Sequence, residues 1–341
     1  MSKNIFIAVG ISFAALLAGI VLGSVYVPPG DVFRIIASAL FRAELPGHIT
    51  AAQFAIVWGL RLPRVLLAFL AGAALSVSGA VMQSVLRNPL ASSFTLGVSS
   101  GASLGAGLVI FLGITFPLAA MMSLPILGFL FGLGTIFLVM AIATKLDAGM
   151  ENHTIILTGM VFSLFVNAIT TLLFSLFRGA DGVNIQRMVL WQMGSFSMRD
   201  WQTVYILAPV ALVGILLIMR YKWELDVMTF GEEQAKTMGV SSKNVKWVLL
   251  VTAAALTGST IAFVGVIGFI DLAAPHVVRR VFGSSHRVVI PMSAVVGGAF
   301  MVLCDLAART LTAPVELPVG AVTALIGAPF FAYIYFSKRK S

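Results

Sequence analysis

The chain has 341 residues, of which 59% are hydrophobic and only 10% charged; its mean hydropathy is +1.03 and its formal net charge +9. Soluble domains carry about 25% charged residues, so water cannot be the solvent for most of this surface, and a soluble enzyme or binding module is excluded. Its single cysteine, Cys304, rules out an internal disulfide, and in so apolar a chain an excess of basic residues reports membrane topology rather than a nucleic-acid partner.

Apolar runs occupy 5–27, 62–86, 94–114, 118–144, 154–177, 202–220, 246–268, 272–282, 288–311 and 318–336. At about 20 residues per crossing this predicts an all-α polytopic membrane protein of about ten transmembrane helices. The first run lacks a small-residue cleavage site after a short apolar core and reads as a retained span. The eighth is short and follows Gly268 and the Ala274–Pro275 step, which reads as a broken or re-entrant span; such backbone is tolerated at membrane depth only when protein or a wet cavity surrounds it.

With a cytoplasmic N-terminus, the 22 basic residues divide 14 inside to 8 outside. Lys3, Arg87, Lys145, Arg220, Lys222, Lys236, Lys243, Lys246, Arg279, Arg280, Arg287, Lys338, Arg339 and Lys340 fall inside. Arg34, Arg42, Arg61, Arg64, Arg178, Arg187, Arg199 and Arg309 fall outside. The positive-inside rule then predicts both termini in the cytoplasm. Two longer polar segments follow from the same register. Residues 27–57 form an extracytoplasmic loop, with Pro28-Pro29-Gly30 ending the first helix and an amphipathic piece at 32–41. Residues 221–246 form a charged cytoplasmic loop holding Glu224, Asp226, Glu232, Glu233, Lys236, Lys243 and Lys246. The second-to-third and seventh-to-eighth span regions echo one another with opposite polarity, as inverted repeats do.

Small residues at Ala71-Gly72-Ala73-Ala74, Ser76, Ser78, Gly79 and Ala80 favour close helix packing in lipid, where no hydrophobic drive exists between helices. They are preceded by Arg61-Leu62-Pro63-Arg64 and followed by Arg87-Asn88-Pro89-Leu90. Arg61, Arg64 and Arg309 suit either snorkelling to lipid phosphates or charge-assisted pairing with a partner's carboxylates; Asp305 lies one turn before Arg309. Residues 230–239 read as a short helix ended by Gly239, either a solvated connector or a contact surface. Glu151, Asn152, His153 and Thr154 mark the inner end of the fifth span. Farther along it, Ser163, Asn167, Thr170 and Thr171 suit interhelical hydrogen bonds or a pathway lining. His48, His153, His276 and His286 show no metal-ligand spacing, and no nucleophile–base–orienter set is visible in sequence.

Four motifs carry a family resemblance: Arg61 to Arg64 with Arg87 to Leu90, Gly268-Phe-Ile-Asp-Leu-Ala-Ala-Pro-His-Val-Val-Arg279, His286-Arg287, and Glu316-Leu-Pro-Val-Gly320. In order and spacing the chain resembles the FecCD/BtuC-type permease subunits of type II ABC importers for iron-siderophores, haem and vitamin B12, from the second span to the last. Asp271 departs from that pattern, which has glycine there. The resemblance implies a single transmembrane permease domain over 1–341 in a bacterial or archaeal plasma membrane. It also implies a second permease copy, identical or a paralogue, two ATPase subunits below, and one extracytoplasmic binding protein above. By resemblance, Arg61, Arg64 and Arg309 dock the binding protein, and Glu232, Glu233, Ala235, Lys236 and Met238 contact the ATPase. Residues 151–154 would then form the cytoplasmic gate, and the polar residues of the fifth span would line the pathway.

The chain has no G-x-x-x-x-G-K-[ST] sequence with which to cradle phosphates. ATP and magnesium are therefore expected in the partner, with no cofactor and no enzymatic site here, although the whole complex would hydrolyse ATP. An ion-coupled secondary transporter using Asp271 or Asp305 is the alternative.

Overall fold

The computed structural model describes residues 2–23, 25–116, 120–177 and 182–337; Arg178, Lys338, Arg339 and Lys340 of the charge register lie outside them. Every regular element among the described residues is helical. In chain order these are α1 (Ser2–Val21), α2 (Pro29–Phe41), α3 (Ala51–Phe54), a π-helical segment (Ala55–Arg61), α4 (Leu62–Val85), α5 (Val98–Leu112), α6 (Ser123–Leu146), α7 (Asn152–Phe177) and α8 (Gly182–Met193). They continue with α9 (Trp201–Arg220), α10 (Lys222–Met228), α11 (Glu232–Thr237), α12 (Ser242–Val264), α13 (Ile270–Phe282), α14 (His286–Thr310) and α15 (Val319–Ser337). Among the described residues seven stretches are long and apolar enough to cross a membrane: Lys3–Val21, Ala51–Val85, Ala120–Leu146, Asn152–Phe177, Trp201–Arg220, Ser242–Val264 and His286–Thr310. Val98–Leu112 and Val319–Phe330 are shorter apolar helices.

Helix α4 is the axis of the bundle, packed by α14, α12, α13 and α9. Its small residues explain why. A methyl group on Gly72 would sit 2.3 Å from the carbonyl oxygen of Gly297, so α4 and α14 touch through backbone. On another face a methyl group on Gly79 would fall 1.8 Å from the carbonyl of Asp271, bringing the start of α13 against α4. Hydroxyls bind the third face: Ser78 Oγ donates to Ala253 O at 2.8 Å and lies 2.7 Å from Thr257 Oγ1 and 2.8 Å from Ser93 Oγ. In lipid such packing and hydrogen bonds replace hydrophobic drive.

Several boundaries differ from the sequence expectation: α1 ends at Val21, ahead of Pro28-Pro29-Gly30, with Pro29 opening α2 instead, and three others have a clear backbone reason. The second span begins at Ala51, not at 62, because Pro63 does not break the helix. The preceding turn widens to π geometry, with Leu62 N–H donating to Val57 O, a register shift that accommodates the proline. The third begins at Val98, after a left-handed Gly97 (φ 84°). At 1.5 Å per residue its 15 residues span about 22 Å. The break before α13 lies at Gly265 to Phe269, both with positive φ, whereas Pro275 sits inside the helix. A proline at 275 cannot donate to the carbonyl four residues back. That carbonyl, on Asp271, accepts instead from Gln83 Nε2 of α4 at 3.2 Å.

Candidate functional site

Chemistry concentrates at the two ends of α4. At its N-terminal end Arg61, Arg64 and Arg309 converge around a crevice of about 210 Å³ that Glu316 also lines. They converge because α4 begins where α14 ends. Arg61 is only 5% exposed. Its Nη1 donates to Val21 O at 3.0 Å and Ile20 O at 3.4 Å, and its Nη2 to Val25 O. It thus satisfies carbonyls that the end of α1 leaves without helical partners. Gly23 makes room for this, since a methyl group there would collide with the guanidinium.

Arg309 is buried as well; it donates to Gly19 O and lies 3.6 Å from Asp305. Arg64 forms the fullest contact. Its Nε and Nη2 donate to Asp305 Oδ1 at 3.0 and 2.8 Å, and its Nη1 and Nη2 reach Glu316 Oε1 and Oε2 at 2.8 and 3.0 Å. The buried Asp305 therefore serves Arg64 first and Arg309 at longer range. Glu316 remains accessible, and the hydrogen bonds from Arg64 hold its carboxyl below the usual glutamate range. Of the three arginines read from sequence as outward cations, two are spent on this chain's own backbone. The accessible charges are Glu316 and the rim of Arg64.

At the opposite end, the segment expected as a loop over 221–246 folds as α10, α11 and the first turn of α12. Asp226 of α10 accepts from the backbone N–H of His286 at 2.8 Å, capping α14, and lies 2.6 Å from His286 Nδ1. His286 Nε2 lies 2.6 Å from Ser84 Oγ at the end of α4. No local motif announces this Ser–His–Asp line, because its members lie on three distant segments. It is a tie between helices: Ser84 is buried, donates to Ala80 O and accepts from Arg279 Nη2, leaving its hydroxyl no room for a substrate.

Of the residues expected to contact an ATPase, Glu233, Lys236 and Met238 are exposed. Ala235 is fully buried in the core and cannot form part of a surface, and Glu232 turns inward, its Oε1 2.5 Å from Lys246 Nζ. Lys246 also donates to Met150 O at 2.6 Å. Met150 immediately precedes Glu151, Asn152, His153 and Thr154, the expected gate. Glu151 and His153 form an exposed pair at 3.2 Å, and Asn152 Oδ1 is buried without a hydrogen-bond partner. Along α7, Ser163 Oγ lies 2.7 Å from Ser100 Oγ, and Thr170 and Thr171 bond their own helix. Asn167 and Thr171 emerge on an exposed face with Leu164, Phe165 and Leu172. Only 11% of the most apolar stretch of α7 is buried, against 83% for that containing α4, so this face lacks a protein neighbour among the described residues.

Asp271 is fully buried in the first turn of α13, not at a surface. Its carboxylate lies near Ser92 and its own helix N–H groups without a well-formed bond to any of them. Among the described residues no three His, Cys, Asp or Glu side chains group as metal ligands. In sequence Lys246 reads only as a topology charge of the cytoplasmic loop, and Gln83 stands out by nothing. The available signal for Lys246 was a lysine one turn inside an apolar helix, where an unpaired charge is costly.

The model of the FecCD transport family matches residues 11–337. An ABC transporter permease protein of Bacillus subtilis is 41% identical over 334 residues, covering 97% of this chain and 93% of its own. The cobalamin import system permease protein of Halobacterium salinarum is 40% identical, over 86% of this chain and 77% of its own. The fold is shared with a solved metal-chelate-type ABC transporter in an inward-facing conformation, at TM-score 0.85 and 28% identity, covering 99% of this chain and all of that one.

Proposed function

The chain belongs to the FecCD transport family of ABC-importer permeases, and from that premise we propose that it is the membrane subunit of an ATP-driven importer for an iron chelate or a corrinoid. A family match running nearly end to end carries this reading; the cobalamin permease relative supports the corrinoid branch. A second copy of this chain or a paralogue covers the exposed face of α7, and substrate passes between the two. Ten helices cross the membrane, in inverted repeats and with both termini cytoplasmic: α1, α4 with its π segment, α5, α6, α7, α9, α12, α13, α14 and α15.

A binding protein delivers substrate at the Arg61–Arg64–Arg309 end. Because Arg61 and Arg309 are occupied internally, docking works through Arg64 and requires an incoming carboxylate to share or displace Glu316. Two ATPase subunits, which hold ATP and magnesium, sit against Glu233, Lys236 and Met238, with Glu232 behind them. Their closure moves the 151–154 gate at the start of α7, and Ser163, Asn167, Thr170 and Thr171 lie along the pathway. The chain itself breaks no bond.

Reconstitution of the permease with its ATPase and binding protein tests this. Ferric siderophore, haemin and cyanocobalamin are each offered, and vanadate-sensitive uptake of at least one is expected. Uptake that persists without any ATPase would overturn the proposal in favour of ion coupling.

A further inference from the structure

Lysine is almost never fully buried unless paired, and Lys246 is 1% exposed at its side chain. It joins three segments distant in sequence: its own α12, Glu232 at the start of α11, and the carbonyl of Met150 just before α7. The last segment is itself stiff. Asp147 accepts from Gly149 N–H at 2.8 Å and from Glu151 N–H at 2.7 Å, while Met150 is buried in a left-handed conformation (φ 54°). Glu232 stays partly exposed, at 25% of its side chain, behind the surface of Glu233, Lys236 and Met238.

We propose that Lys246 is a positioning residue, a strut that makes α11 and the entrance of α7 move as one body. This rests on the reading of α11 as the ATPase contact and α7 as the pathway helix. The physical reason is that bonds of 2.5 and 2.6 Å to a buried charge tolerate little stretching, and that losing either partner strands the charge away from water. A shift of α11 therefore carries Met150, and with it Glu151 to Thr154. The tie from α10 through Asp226 and His286 to Ser84 ends on α4 and α14 and does not reach α7, so the strut supplies a connection that this one does not.

The test uses Lys246→Met, Glu232→Gln and the double variant. Spin labels are placed at Thr237 and Ala148, both exposed and outside the proposed contact and gate residues, in a Cys304→Ala background. In the purified permease the wild type is expected to give a narrow distance distribution. Each single variant broadens it, and the double is no broader than Lys246→Met. In the complete complex in proteoliposomes, ATP hydrolysis continues while substrate imported per ATP falls about tenfold, within the usual range of coupling free energies. An unchanged distance distribution in a monodisperse Lys246→Met protein overturns the strut, as does unchanged transport per ATP with a broadened one. If Lys246→Met does not fold, Glu232→Gln decides alone by the same two readouts. A wild-type complex without ATP-driven uptake refutes the importer reading, while the spin-label result still judges the strut.

Discussion

Replacing Asp305 by leucine should be among the most damaging single changes outside the packing core. Asp305 is 1% exposed and faces Arg64 through contacts of 2.8 to 3.1 Å and Arg309 at 3.6 Å. The crevice holds three guanidinium groups against two carboxylates; the variant leaves three against Glu316 alone. Breaking one side of a buried ion pair costs about 3–5 kcal/mol. Because Arg64 keeps its two bonds to Glu316, the lower end applies, about 3 kcal/mol, or roughly a hundredfold in the folding equilibrium. Reversible unfolding in mixed detergent–SDS micelles, followed by circular dichroism, measures it. The diagnostic comparison is Arg64→Met/Asp305→Leu, which removes both partners and should recover at least half the loss, since apolar replacement of a whole buried pair is close to neutral. A double variant as unstable as the sum of its singles would refute the reasoning.

Gln83→Leu strands both the Asp271 carbonyl that Pro275 leaves free and the Arg279 Nη1 that donates to Gln83 Oε1, and should cost about 1–3 kcal/mol; in a Pro275→Ala background, where a helical N–H is restored, the carbonyl's share of that cost should disappear in the same unfolding assay. Gly79→Leu drives a side chain into the Asp271 backbone and should cost about 3 kcal/mol or more, while Gly134→Leu, where nothing lies within 4 Å, should be well tolerated. Glu316, held low by Arg64, has a folded pKa below its ordinary 4.5. It therefore contributes stability above that value and loses it as pH falls through the lower folded one. A plot of unfolding midpoint against pH should steepen there in the wild type and flatten in Glu316→Gln; parallel profiles would contradict the pairing.

Much of the architecture was legible because lipid imposes simple demands. Runs of apolar residues had to become helices, since backbone polar groups find no water there, and the small residues of α4 had to mark its closest contacts. Helix ends were less legible. Pro63 and Pro275 carry the same local signal, a missing donor, yet neither breaks its helix. One is absorbed by a π turn and the other by a glutamine 192 residues earlier in the chain.

The candidate site divides in the same way. Sequence alone determined the class of molecule, the segments in which charge is concentrated and the family pattern, because composition and motif order are properties of the chain itself. Only the tertiary structure decided what each charge does. Arg61 and Arg309 serve α1 carbonyls, Arg64 clasps Glu316, Ala235 is core, and Lys246 reaches Met150. Those roles depend on which backbone groups lack partners after packing, and that becomes defined only when helices distant in sequence meet.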